Sequence, residues 1–134
     1  MTSQLTRRAF ASTLAAAVTS IVLPMRLNAA PGHPEPRLGI TGKNVLAKEQ
    51  LAKTPNLIPL FDGIREIPEI ADGIRCNCGC TNPPELRSLL SCFEGKGMAR
   101  DCVICQGQAR LAIRLHKERK SLSEIRSAID AKFA

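Results

Sequence analysis

All six cysteines of this 134-residue chain lie between Cys76 and Cys105. They read Cys76-Asn77-Cys78-Gly79-Cys80, then Cys92 after eleven intervening residues, then Cys102-Val103-Ile104-Cys105 after nine more. Sulfurs gathered this closely restrict the fold, because three separated segments must converge for them to act together. Cys102 and Cys105 stand at i, i+3 at an expected helix start, so both project from one face. A helix N-terminus also favours thiolate, the form that binds metal or attacks disulfides. Gly79 gives the 76–80 loop backbone angles closed to other residues, which lets alternate sulfurs turn inward.

The flanking pattern is helical throughout. Leu57, Ile58, Leu60, Phe61, Ile64, Ile67, Ile70 and Ile74 recur at threes and fours, with Pro59, Gly63 and Pro68 dividing them into short pieces and Gly73 as a stop. Asn82, Pro83 and Glu85 form the signature of a helix start, predicting a helix over 83–94 that ends at Gly95. Asp101 is the expected cap of a helix over 102–119, whose core face uses Ile104, Leu111 and Leu115. Ser121 and Glu124 form a second capping box, opening a helix over 122–133 with the stripe Leu122, Ile125, Ile129 and Phe133. No segment alternates like a strand. The expectation is a small all-α domain over 56–134, organised around the six-cysteine cluster. An apolar core of this size is marginal alone, so the sulfurs are the natural staple.

Two segments precede that domain. Thr6-Arg7-Arg8-Ala9-Phe10, followed by an Ala-rich apolar run to Leu23, reads as a twin-arginine-type signal peptide over 1–29. The chain is therefore expected to be exported to a periplasmic or other extracytoplasmic space, touching a membrane only if that segment stays uncleaved. No cysteine precedes Cys76, which excludes a lipid-anchored N-terminal cysteine. Residues 30–55 are rich in Pro and Gly at their start and are expected to form a flexible tether with one short helix near 44–53. Loss of residues 1–29 removes Arg7, Arg8 and Arg26, leaving 16 of the 19 basic residues against 12 acidic, so the net charge falls from +7 to +4. With no Trp or Tyr, the chain has little to stack on bases, and nucleic acid is not an expected partner.

Three chemistries fit the cysteines. Thiolates of Cys76, Cys78, Cys80, Cys92, Cys102 and Cys105 suit a soft metal ion, Cu(I) or Zn²⁺; an iron–sulfur cluster fits the spacing less well. An even cysteine count in a small exported domain also suits three structural disulfides. The Cys102–Cys105 pair alone suits thiol–disulfide exchange. No acid or base is evidently placed for turnover, since Glu94 and Asp101 read as helix-end residues, and no catalytic residue is expected. His33 reads as a solvated tether residue. His116 follows Cys105 by three helical turns, about 16 Å, too far to share its metal. Met98 reads as a core filler rather than a ligand.

From about Ile67 to the C-terminus the chain resembles the PCYCGC-motif family of bacterial exported proteins. The resemblance rests on Cys76-Asn77-Cys78-Gly79-Cys80, on Ser88-Leu89-Leu90-Ser91-Cys92-Phe93, on Cys102-Val103-Ile104-Cys105 and on the closing helix from Ser121 to Phe133. Arg75 and Asn77 stand where that motif has Pro and Tyr. The resemblance implies a cysteine-rich, metal-binding exported module. Locally, Cys102-Val103-Ile104-Cys105-Gln106 is similar to the C-x-x-C-Q of the thiol oxidoreductases of cytochrome c maturation, which implies disulfide exchange as the alternative.

Overall fold

The computed structural model describes residues 32–79 and 86–134. The signal-peptide reading, Cys80 and the expected Asn82-Pro83-Glu85 cap lie outside the described residues. Among the described residues five α-helices follow in order: α1 Ile58–Glu66, α2 Pro68–Asp72, α3 Leu89–Cys92, α4 Val103–Lys117 and α5 Leu122–Phe133. Short 3-10 turns occupy Gly42–Asn44, Lys48–Leu51, Pro55–Leu57 and Met98–Arg100. Among the described residues the only β pairing is an isolated bridge between Val45 and Glu94. The fold is all-α.

The apolar stripes account for the assembly. Phe61 and Ile64 of α1, Leu89 and Leu90 of α3, and Ile125 and Ile129 of α5 are fully buried, with Ile74 and Phe93 between them. Phe61 and Phe93 stack at a tilt, 4.7 Å between ring centroids, which adds about 1 kcal/mol to the area they bury. α4 packs against both α1 and α5. Gly63 does not interrupt α1: it makes room for Ile113 of α4, whose Cδ1 would stand 2.7 Å from a β-carbon there. Gly73 ends α2 as expected. The Ser121–Glu124 box is fully formed, Glu124 N–H donating to Ser121 Oγ at 3.2 Å and Ser121 N–H to Glu124 Oε2 at 2.8 Å.

Three expectations are corrected. Of the helix expected over 83–94, the described residues 86–94 form only Leu89–Cys92, because Ser88 is extended and caps it, accepting from Ser91 N–H. Arg87 is drawn the other way, donating to Asp72 Oδ2 and to the Glu35 carbonyl, both at 2.7 Å. The cap of α4 is Cys102 rather than Asp101, and Ile104 faces outward; the buried face is Cys105, Gln108, Ala109, Leu111 and Ala112. Met98 likewise is exposed rather than filling the core.

The third correction concerns residues 32–55, which pack along the helices where the composition suggested a tether. Arg37 clamps the buried Asp72 through its own N–H (2.8 Å), Nε (3.1 Å) and Nη2 (2.8 Å). The His33 side chain is largely covered: its Nε2 lies 3.1 Å from both carboxylate oxygens of Asp130, and its Nδ1 accepts from Arg75 N–H at 3.0 Å. Arg126 of α5 donates to the Pro34 carbonyl. Proline and glycine here follow an irregular surface path that specific polar contacts hold. Val45, Leu46 and Leu51 then bury their side chains in the core.

Candidate metal centre

The sulfurs meet where three elements end. The chain leaves α2 through Gly73 and Ile74, whose carbonyl accepts from Leu89 N–H at 2.7 Å, tying this exit to the start of α3. Cys76 follows at once and is fully buried. Gly79 adopts a left-handed φ of +79°, turning the loop as the sequence required. Cys92 closes α3 and donates to the Ser88 carbonyl at 3.7 Å. Cys102 caps α4, its sulfur accepting from Cys105 N–H at 3.4 Å.

Cys76, Cys78 and Cys105 form a triangle of sulfurs, with Sγ separations of 3.3 Å (Cys76–Cys78), 3.1 Å (Cys76–Cys105) and 3.5 Å (Cys78–Cys105). These spacings exceed the ~2.05 Å of a disulfide bond, and Cys76, Cys92, Cys102 and Cys105 are thiols. The three can hold a metal ion. Cys92 and Cys102 lie outside this close set and act on it electrostatically. Of the six expected ligands, Cys76, Cys78 and Cys105 stand within reach of one ion, and Cys80 lies outside the described residues. His116 is exposed on α4 and neither Glu94 nor Asp101 joins the group.

Proton sharing orders these thiols. Hydrogen bonds from Cys105 and Cys92 hold Cys76 down to about 3, outweighing its burial. Cys105 is pushed far up by its bonds to Cys76 and Cys92 and by burial. For Cys92 the bond from Cys105 pulls downward, but the bond to Cys76, burial and the neighbouring sulfur charge leave it raised. Burial raises Cys102 too, yet the backbone N–H of Cys105 and the bonds beside it leave that thiol lowered.

Gln108 supports the site and was not anticipated from the sequence. It is fully buried one turn after Cys105, and its Oε1 accepts from Asn77 N–H at 3.2 Å, fixing the loop between Cys76 and Cys78. Its signal was a single amide among the Ala and Leu residues of α4's inner face. Gln106, the last residue of the C-x-x-C-Q stretch, donates to the Ala99 and Arg100 carbonyls at 2.9 and 3.2 Å, joining the 3-10 turn to α4. No protein family, curated protein or solved structure matches the chain.

Proposed function

We propose that this is an exported cysteine-rich protein that binds a soft metal ion, Cu(I) or Zn²⁺, through thiolates, for storage or handling of the metal or for its own stability. The observation that carries the reading is the Cys76–Cys78–Cys105 triangle, three sulfurs within 3.5 Å of each other at the meeting of a loop and a helix start. Disulfides within Cys76-Asn77-Cys78 would be strained, whereas alternate thiolates can wrap an ion. The arginine pair Arg7-Arg8 supports export in the folded state through the twin-arginine route, with metal loaded before an oxidising compartment can cross-link the thiols. The motif resemblance to the PCYCGC-motif family points the same way. Among the described residues, no helix is long and apolar enough to cross a membrane.

The test is to purify the protein from its native compartment without reductant and to measure metal and free thiols together. Stoichiometric copper or zinc, with thiols released only by a chelator, is the expected result. No metal, no free thiols and three bridges by mass spectrometry would leave a disulfide-stapled structural module. Changing Arg7 and Arg8 to Lys should retain precursor in the cytoplasm.

One observation favours a second reading. Cys102 is half-buried, caps a helix and has a lowered thiol, the properties of an exchange nucleophile with Cys105 behind it. If this pair exchanges disulfides, Cys102→Ser abolishes reduction of a model disulfide and leaves the helical spectrum intact.

A further inference from the structure

The backbone is gripped on both sides of Cys76 by side chains from distant parts of the chain. Before it, Arg75 N–H donates to His33 Nδ1 at 3.0 Å; after it, Asn77 N–H donates to Gln108 Oε1 at 3.2 Å. His33 is itself held. An Nδ1 that accepts leaves the ring proton on Nε2, which faces both carboxylate oxygens of Asp130 at 3.1 Å. Gln108 is carried by α4, one turn after Cys105. The fold has little use for either grip. Arg75 is exposed, so water is available to its N–H. Gln108 is fully buried, yet its Nε2 has no hydrogen-bond partner among the described residues. A buried unpaired donor weakens a fold that an apolar side chain of similar size would serve better.

We propose, resting on the metal reading above, that His33 and Gln108 are positioning residues of the metal centre, which fix the backbone on either side of Cys76 and so aim its buried sulfur before the ion arrives. With both neighbouring N–H groups anchored, the dihedral angles around Cys76 are set on folding, and the entropy of ordering this ligand is not lost again on binding. The same anchors slow release, because Cys76 swings off the ion only when one of them lets go. Neither side chain touches the metal. Both act through the backbone, as outer-shell partners of metal ligands do. Affinity at the sulfurs thus depends on a histidine 42 residues before Arg75, in the segment ahead of the first helix.

The experiment measures metal affinity of the reduced full-length protein anaerobically, with Zn²⁺ and separately with Cu(I), each in competition with a chromophoric chelator. Two substitutions at one position separate the ring's two bonds. His33→Asn has a carbonyl oxygen near the place of Nδ1 and keeps the acceptor for Arg75. His33→Gln has an amide donor near the place of Nε2 and keeps only the Asp130 contact. His33→Gln should bind at least about tenfold more weakly than wild type, and His33→Asn should stay within about threefold of it. A purely structural histidine predicts the two alike, since each variant loses one bond. Gln108→Leu should also lose at least about tenfold in affinity, while its metal-free urea midpoint holds or rises. Helical circular dichroism checks folding, and if one position fails to fold the other decides. Equal affinities in the two His33 variants overturn the clamp, as does Gln108→Leu with wild-type affinity or with a midpoint lowered alongside its affinity. A reduced wild type that takes neither zinc nor copper overturns the metal reading instead.

Discussion

Two buried polar centres flank α3, and they are satisfied in opposite ways. Asp72 is fully buried and accepts from Arg37, Arg87 and Ser88, so the protein itself supplies its donors. The sulfur centre is paired mainly sulfur to sulfur, through S–H groups and sulfur acceptors. Ser88 touches both: its hydroxyl donates to Asp72 Oδ1 and its carbonyl accepts from Cys92. A buried charge that the chain fully partners is architecture, while one left to crowd against its own kind is a place for something else to bind. The carboxylate holds the frame that keeps the sulfurs converged.

The largest expected effect comes from breaking the satisfied centre. Asp72→Ala removes the acceptor shared by two guanidinium groups and the buried Ser88 hydroxyl. Loss of one partner of a buried ion pair costs about 3–5 kcal/mol, and the partial exposure of Arg37 and Arg87 places this case near about 3. Urea unfolding of the metal-free protein should show the lower midpoint, and an unchanged one would contradict the architectural role.

Filling the sulfur centre should act in the other direction. A soft metal at a hundredfold excess over its dissociation constant stabilises the folded chain by about 2.7 kcal/mol. A thermal scan should show that shift, its reversal by chelator, and its absence in Cys76→Ser.

Acid separates the two centres more gently. Burial alone would raise Asp72, but its hydrogen bonds from Arg37, Arg87 and Ser88 win and lower it from 3.8 to about 2. A depressed carboxylate contributes stability that is complete above its unfolded value and is lost as pH falls through its folded value. That contribution is on the order of 2 kcal/mol and should disappear between about pH 4 and pH 2. Asp72→Asn should flatten this limb of the unfolding midpoint in metal-free protein.

The smallest effect lies far from both centres. Ser121→Ala removes the α5 cap and should cost about 1 kcal/mol, with no change in metal uptake.

How much of this was legible in the sequence follows from the range of the forces involved. The α5 cap and stripe are local and were read correctly, as was the stop at Gly73. The convergence of Cys76, Cys78 and Cys105 was also legible, because a C-x-x-C at a helix start and a glycine-bearing loop have few ways to meet. The short α3 was not, since Ser88 competes with the upstream cap only once Arg87 and Ser88 are pulled toward Asp72. His33 was misread for the same reason: its partners, Asp130 and Arg75, lie 97 and 42 residues away. Composition describes what a segment can do alone, and residues 32–37 are held by side chains from the rest of the chain.

Those same pairs set the order in which the domain can be made. His33 with Asp130 and Arg126 with the Pro34 carbonyl join the beginning of the described chain to its last helix, 97 and 92 residues apart. Contacts of such separation form late, because their closure entropy must be met before they stabilise anything. During synthesis, at roughly 5–20 residues per second, the first segment emerges several seconds before its partners exist. The nascent domain therefore cannot lock until α5 has been synthesised.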